Sequence, residues 1–182
     1  MPKILTPTRF GNPILREVAK QLSVEEVLST EIKSLIENIR YTLEKEEYGV
    51  GLAAPQVGKS VALSVIGIKP TPTRPDVKVF NSVIINPEIT ETFGRKIQLW
   101  EGCISCGAGG DTLFGKVPRY KSIRLRWIDE FGDKHEEKVT GFVAHVAQHE
   151  VDHLNGVLFV DRVKDTSSYM MADEYRKRIA KS

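Results

Sequence analysis

The sequence predicts an α+β fold, in which helices pack beside an antiparallel or mixed β-sheet. Apolar residues recur at three- and four-residue intervals in an early segment and again in a late one, which indicates two amphipathic helices. Between these segments, the middle of the chain holds short runs rich in Val, Ile and Leu, which are typical of strands. Helices that pack beside a sheet of this kind define the α+β class.

Length and composition indicate one ordinary globular domain. The 182 residues suit a single domain, 1–182, with one sizeable core, and 41% apolar with 27% charged residues is a usual balance. A formal net charge of +2 gives no case for a specific nucleic-acid site, which needs a strongly basic face. No secretory or transit signal opens the sequence, and the longest apolar run, near Val61 to Ile68, is too short to span a membrane. We therefore expect a cytoplasmic protein.

The first helix is predicted from about Ser23 to Lys45. It follows an extended arm, Arg9 to Arg16, which Gly and Pro interrupt. Ser23 and Glu26 have the spacing of a capping box, which marks the beginning of a helix. The apolar residues that share its buried stripe are Ile32, Leu35, Ile36, Ile39 and Leu43.

Strands are predicted through the middle of the chain. They run over Ser60 to Ile68, Val77 to Ile85, Ile123 to Ile128 and Lys134 to Val139. The segment Lys69 to Pro75 is too rich in proline to pair and is expected to form a loop. Phe131-Gly132-Asp133 predicts the turn that returns the chain into the last of these strands.

Two further helices are predicted in the last third of the chain. One runs from about Gly141 to Asn155 and ends at Gly156, which acts as a C-cap. Its residues Phe142, Val146, His149, Glu150 and His153 fall on one face. The last helix is expected over roughly Ser167 to Ala180, and its basic end complements the helix dipole. The basic residues are Arg176, Lys177, Arg178 and Lys181.

The strongest chemical signal is the pair His149 and His153 with Glu150 between them. On a helix, positions four apart lie on one face, so both imidazoles can reach one ion. The Glu150 carboxylate beside them can hold a water and take its proton. Two surface histidines on an amphipathic helix are the simpler interpretation. However, both histidines continue an apolar stripe, and a buried pair without a shared proton or metal is costly.

A catalytic metal site needs a third protein ligand, and the cysteines at positions 103 and 106 are the candidates. Cys103 and Cys106 together with the two histidines would form a closed structural Cys2His2 zinc site, which predicts a binding module without catalysis. In compact zinc fingers the pairs lie about a dozen residues apart, whereas here a hairpin intervenes. A closed site also leaves Glu150 without a role. One cysteine as the third ligand fits better, although spacing does not say which.

Three segments resemble the signature motifs of the peptide deformylase family. They are Gly49-Val50-Gly51-Leu52-Ala53-Ala54-Pro55-Gln56, then Glu101-Gly102-Cys103-Ile104-Ser105, then Gln148-His149-Glu150-Val151-Asp152-His153-Leu154-Asn155-Gly156. Their order is that of the family, and a weaker likeness extends from about residue 11 to Asp165. Each motif alone is moderately specific, whereas the three together are hard to reconcile with chance.

The resemblance implies a metal-dependent hydrolase that removes the formyl group from N-formylmethionyl nascent peptides and releases formate. It implies that Cys103, His149 and His153 bind one divalent metal ion. In that family the ion is typically Fe²⁺ in the cell, although Zn²⁺, Ni²⁺ or Co²⁺ can occupy the site. The family setting is the cytoplasm of a bacterium, or an organelle with bacterial-type translation, and passing contact with the ribosome near its exit tunnel.

The resemblance also implies roles for residues around the ion. Glu150 would move the proton, while the Gln56 side chain and the Ile104 backbone N–H would donate to the oxyanion of the tetrahedral intermediate. Gly49 and Gly51 would let the substrate backbone approach. A further hypothesis is an ion pair that holds the cysteine loop in place, between Glu101 and Arg119.

One segment departs from the family pattern. The stretch Cys106 to Lys116 is long and glycine-rich, where the family usually has a short loop that carries an arginine. Because that loop borders the substrate groove in the family, its change bears on peptide preference and not on the metal chemistry. A second thiol, Cys106, is expected to be inert. A related metallo-amidase that acts on another acyl group remains an alternative.

Overall fold

A single antiparallel sheet organises the molecule. The computed structural model describes residues 1–46, 49–72 and 74–180, and within them six strands pair in the order β1-β2-β3-β4-β5, with β6 beside β4. The strands are β1 (Gly51–Ala53), β2 (Leu63–Ile68), β3 (Phe80–Gly102), β4 (Leu113–Ile128), β5 (Lys134–Thr140) and β6 (Met170–Met171). All these pairings are antiparallel, which confirms the α+β class.

The strands β3 and β4 are much longer than the runs that predicted them. β3 continues 17 residues beyond the predicted end at Ile85, as far as Gly102, and pairs there with β4 alone. Register shifts near Glu88, Glu91 and Lys96 bend this hairpin. The prediction of a loop over Cys106 to Lys116 is wrong for the last residues of that stretch, because β4 already begins at Leu113.

The predicted first helix is two helices, α1 (Val24–Leu28) and α2 (Thr30–Lys45). Ser29 separates them because its backbone is extended, with φ −66° and ψ 152°. The Ser29 hydroxyl accepts the backbone N–H of Ile32 and thereby caps the second helix. The capping box between Ser23 and Glu26 is confirmed.

The sheet lies between two helices. Leu63 and Val65 of β2 pack against α2, whereas Ile66 and Ile68 point to the other face. That other face is covered by α3 (Gly141–Leu154), the predicted metal-binding helix. Because β2 is buried on both faces, it reads as a continuous apolar run in the sequence.

The chain termini differ most from the predictions. The arm contains a 3-10 turn, Pro13–Arg16, and α4 (Phe159–Arg162) was not predicted. The predicted last helix from Ser167 is shorter, because Thr166–Ser168 forms a 3-10 turn and Met170–Met171 pairs with β4 as β6.

Only then does α5 (Ala172–Arg178) begin, and its Tyr175 stacks on Phe114 of β4 with 4.3 Å between the ring centroids. Predictions that included Thr73 and Lys181 fall on residues outside those described. No helix in the described part of the chain is long and apolar enough to cross a membrane.

Candidate metal centre

The helix α3 carries three of the predicted site residues through the middle of the fold. It begins after Thr140 and ends before Gly156, whose φ of +70° suits glycine. A Cβ on Gly156 would also lie 2.5 Å from the backbone oxygen of Arg16, so the chain passes close by there. Eleven of the fourteen residues of α3 are buried, whereas the sequence predicted only one buried stripe along this helix. The helix therefore holds His149, Glu150 and His153 away from bulk water.

Cys103, His149 and His153 converge on one point. Their ligand atoms all lie within 4.8 Å of one another, and among the described residues they form the only such group. The Nε2 atoms of the two histidines are 3.1 Å apart, and His153 Nε2 is 3.4 Å from Cys103 Sγ. Typical bond lengths to zinc place tetrahedral ligand atoms about 3.3–3.6 Å apart, so the three side chains fit one ion.

Glu150 lies beside this group with one oxygen unsatisfied. Glu150 is 2% exposed, and its Oε2 is buried without a hydrogen-bond partner. Burial raises the pKa of Glu150 to about 6. A buried acceptor with a raised pKa is suited to exchanging a proton with a small molecule that enters the site.

The strand β1 approaches Glu150 closely. A Cβ on Gly51 would lie 2.2 Å from Glu150 Oε1, so any residue other than glycine would clash with the carboxylate in its present position. Gly49 lies instead near the end of α2, where a Cβ would meet Leu43 and Glu46. The structure thus brings Gly51 to the site and leaves Gly49 at its edge.

Gln56 reaches the site from a 3-10 turn, Ala54–Val57, that follows β1 directly. Its Oε1 accepts the backbone N–H of Ala53 at 2.9 Å, which fixes the amide and points Nε2 to Cys103 Sγ at 3.2 Å. Ile104 is the first residue of another 3-10 turn, Ile104–Cys106, where a backbone N–H has no partner within its own turn. Both donors flank Cys103.

The N-terminal arm ties together the loops that carry these two donors. The backbone N–H of Thr8 donates to Gln56 O, and that of Phe10 donates to Ser105 O, both at 2.7 Å. The Arg9 guanidinium donates to the backbone oxygens of Ile104 and Gly107, at 2.8 and 2.6 Å. The arm therefore fixes the distance between the two loops.

Glu101 is the centre of a buried polar network. Arg119 holds it with two hydrogen bonds, Nε to Oε1 at 2.7 Å and Nη2 to Oε2 at 3.0 Å, which is the predicted ion pair. His149 Nδ1 lies 2.8 Å from Oε2, and His145 Nε2 lies 3.0 Å from Oε1. Arg119 also donates to Asp152. A carboxylate at Nδ1 of His149 leaves its Nε2 available to an ion.

The electrostatics of the group favour a bound cation. A hydrogen bond from the Cys106 thiol lowers the pKa of Cys103 well below its ordinary value, although burial opposes the shift. Burial lowers the pKa of His149, but hydrogen bonds to Cys103 and Glu101 outweigh it and raise that pKa well above the usual range. The lowered pKa makes the deprotonated thiol of Cys103 easier to reach, and a metal ligand binds in its deprotonated form.

Comparisons with known proteins agree with this geometry. A profile of the family described as polypeptide deformylase matches residues 4–169, which is most of the chain. The chain belongs to the peptide deformylase family. As a member, it is a hydrolase that removes the N-formyl group from nascent peptides, and the metal dependence of the family fits the Cys103, His149 and His153 group.

Individual deformylases match over nearly their whole length. Peptide deformylase 2 of Nostoc sp. is 35% identical over all of this chain and 98% of its own, and a peptide deformylase of Leptospira biflexa is 40% identical over 88% of each. The crystal structure of a class I type b peptide deformylase from Acinetobacter baumannii with Met-Ala-Ser bound superposes with a TM-score of 0.81, at 34% identity over 90% of this chain and 100% of that one. The Thermotoga maritima enzyme gives 0.76, at 35% identity over 90% and 99%.

Cys106 lies outside the group that converges in this deformylase. It is half-buried beside Cys103, Val117 and Phe159, and its hydrogen bond to Cys103 raises the pKa of its thiol. The closed Cys2His2 site predicted as an alternative would need Cys106 within reach of the ion. That alternative is not supported by the deformylase geometry.

Sequence reasoning missed the outer residues of this deformylase site, of which His145, Asp152 and Arg162 are the main ones. Arg162 of α4 donates two hydrogen bonds to Asp152, at 2.7 and 3.1 Å. A signal for His145 was present, because it precedes His149 by four residues as His149 precedes His153. The three histidines thus form one stripe, of which the last two converge with Cys103.

Proposed function

We propose that this chain hydrolyses the formamide bond of N-formylmethionyl peptides at an ion held by Cys103, His149 and His153. The observation that carries the proposal is the convergence of these three ligand atoms beside a buried, unpartnered oxygen of Glu150. Three protein ligands leave a coordination position open, as in catalytic and not structural sites.

The ion, when bound, supplies Lewis acidity, which lowers the pKa of water and polarises a carbonyl group. Glu150 accepts a proton from water as the water oxygen bonds to the formyl carbon. The Gln56 amide and the Ile104 N–H donate to the oxygen that becomes negative. Glu150 then delivers the proton to the departing nitrogen as the C–N bond breaks, which yields formate and a free amino terminus.

The substrate is proposed to lie along β1. The Met-Ala-Ser ligand of the Acinetobacter baumannii deformylase is a methionyl peptide of the class that results from deformylation. Gly51 exposes backbone next to Glu150, which lets a peptide chain approach closely, and Gly49 would extend that contact. The half-buried residue between the two glycines, Val50, packs against the buried apolar cluster that includes Ile66 and Val146.

The resident ion is proposed to be Fe²⁺. One thiolate and two imidazoles suit Fe²⁺ as well as Zn²⁺, Ni²⁺ or Co²⁺, so the donor set alone does not choose among them. Purification without oxygen, followed by elemental analysis, tests the proposal. Near-stoichiometric iron supports it, whereas zinc in a protein isolated without oxygen contradicts it.

The chain is further proposed to act in the cytoplasm, beside the ribosome, on chains that leave the exit tunnel. The basic end of α5 supports this contact, because its last turn carries Arg176 as well as Lys177 and Arg178, the two exposed cations that pair with Glu174. Replacing both by Glu should reduce co-sedimentation with ribosomes at low salt. Unchanged co-sedimentation would remove the support.

We also infer one domain over residues 1–182, which predicts that fluorescence and circular dichroism follow the same thermal transition.

Formate release tests the reaction and the base together. We expect the wild type to release formate from formyl-Met-Ala-Ser, and Glu150→Gln to lose at least about 100-fold in kcat while keeping its metal. Glu137→Gln is the matched control, because this glutamate is exposed on β5 and should leave the rate unchanged. An unimpaired Glu150→Gln would remove Glu150 from the mechanism. Faster hydrolysis of an acetylated than of a formylated peptide would favour the metallo-amidase alternative.

A further inference from the structure

His145 lies one helical turn before His149 and points to the same carboxylate. It is 8% exposed, and its Nε2 is 3.0 Å from Glu101 Oε1. His145 is not part of the group that converges on the ion. Its position therefore calls for a role exerted through Glu101.

With His145, the carboxylate of Glu101 has four donors, two on each oxygen. Oε1 accepts from Arg119 Nε and His145 Nε2, while Oε2 accepts from Arg119 Nη2 and His149 Nδ1. A carboxylate offers about four lone-pair sites, so Glu101 is saturated. Without His145, Oε1 would keep one donor, and the carboxylate could turn toward or away from His149.

The network does not need a charge from His145. Glu101 and Asp152 are balanced by Arg119 and Arg162, which all lie within one chain of hydrogen bonds. The contribution of His145 is then a directed hydrogen bond. Such a bond fixes the plane of the carboxylate that orients a metal ligand.

We propose that His145 is a positioning residue for the metal centre, which holds Glu101 so that Glu101 in turn orients His149. The inference rests on the proposed metal site and goes beyond it, because it assigns a function to a histidine that binds no metal. Loss of the His145 hydrogen bond should loosen His149 and speed the release of the ion.

Two polar substitutions separate the hydrogen bond from burial. Glutamine carries its amide nitrogen at about the reach of Nε2, whereas the asparagine amide is one carbon shorter. We expect His145→Asn to release Zn²⁺ to a chelating dye about 10-fold faster than wild type, and His145→Gln to stay within about 3-fold of it. His145→Leu should behave as His145→Asn. Wild-type release from the Asn and Leu variants, or equally fast release from all three, would overturn the proposal.

Val146→Ala is the matched packing control, because Val146 is the next residue of α3, is buried in an apolar cluster and has no polar group to offer Glu101. It should leave the release rate unchanged; acceleration equal to that of His145→Asn would mean that packing alone sets the rate. The visible spectrum of the Co²⁺-loaded protein adds a readout independent of catalysis. The spectrum of His145→Asn should differ from that of the wild type, and the spectrum of His145→Gln should match it.

A double substitution tests whether the effect passes through Glu101. In a Glu101→Gln background, His145→Asn should add less than 2-fold to the release rate, because coupled residues are not additive. A full additional 10-fold would overturn the proposal. If Glu101→Gln does not fold, the comparison of Asn with Gln at position 145 still decides. Since no measurement involves substrate, failure of His145 as a positioning residue is distinct from failure of deformylation.

Discussion

At the scale of single residues, Gly51 sets the space available to the proposed base. A side chain there cannot coexist with the present position of Glu150, because its Cβ would lie 2.2 Å from Oε1 and 2.7 Å from Cδ. Glu150 is nearly fully buried, so its carboxylate has little room to move aside without leaving the site. The backbone of β1 and the base are therefore fitted to each other.

We predict that Gly51→Ala lowers the rate of formate release by about 100-fold while metal content stays at the wild-type level. The reason is a displacement of Glu150 by about 1 Å, which is enough for a loss of that size. Gly67→Ala is the control, because a Cβ there would meet its nearest neighbour, Leu43, at an ordinary contact distance of 3.5 Å, and it should be fully active. A fully active Gly51→Ala would mean that the carboxylate is not needed where it lies.

At the scale of elements, the break at Ser29 is the local feature that the sequence concealed. The Ser29 hydroxyl donates to Glu26 O at 2.6 Å and accepts the N–H of Ile32 at 3.3 Å, so it ends α1 and caps α2 at once. In the sequence, the apolar stripe passes through Ser29 without interruption, and a serine inside such a pattern does not by itself predict a break.

We predict that Ser29→Ala destabilises the folded state by about 1 kcal/mol, the usual contribution of an N-cap. Urea unfolding followed by circular dichroism measures the change. Ser34→Ala, at an exposed position inside α2, is the control and should shift the free energy of unfolding by no more than about 0.5 kcal/mol. Equal effects at the two positions would argue that the cap contributes nothing.

Strand type was predictable where burial imposes a pattern, and strand length was not. β2 is apolar because both its faces are covered, and β5 was bounded by a clear turn. The outer part of β3, beyond Ile85, is largely exposed and has no alternation for a sequence argument to detect. Its pairing is imposed by β4, and such long-range pairing leaves no local signature.

The site was predictable in its inner part only. Motif spacing and the family resemblance together predicted that Cys103, His149 and His153 converge, and their ligand atoms do lie close together. The contact of Gly51 with Glu150 and the contact of His145 with Glu101 join segments that are far apart in sequence, so spacing could not predict them.

At the scale of the whole molecule, one ion pair joins the N-terminal arm to α4, the short helix that follows α3. The Arg16 guanidinium donates to both oxygens of Asp161 in α4, across 145 positions of sequence. Partial burial raises the pKa of Asp161, but the hydrogen bonds from Arg16 and from the Leu158 N–H outweigh it, so that pKa is below its ordinary value.

A depressed carboxyl pKa contributes stability at neutral pH that is lost in acid. Below the unfolded pKa, about 3.9 for Asp, the benefit declines as the pH falls through the lower folded value. We predict that Asp161→Asn lowers the free energy of unfolding at pH 7 by at most about 1 kcal/mol, because both side chains are partly exposed. The difference from wild type should shrink below about pH 4. A constant difference across this range would exclude the ion pair as its cause.

The position of Cys103 in the sequence also determines the order in which the protein can mature. Cys103 and His153 are 50 residues apart, and β4, β5 and most of α3 are the chain between them. Closing so long a loop has an entropy cost that one ion contact does not offset at the start of folding, so we expect the β4–β5 hairpin to form first. In small zinc fingers the ion nucleates the fold, whereas here we expect the fold to bring the proposed ligands together before an ion binds. Newly made chains should therefore reach their native shape before they are loaded, and the supply of metal would control how much of the folded protein is active.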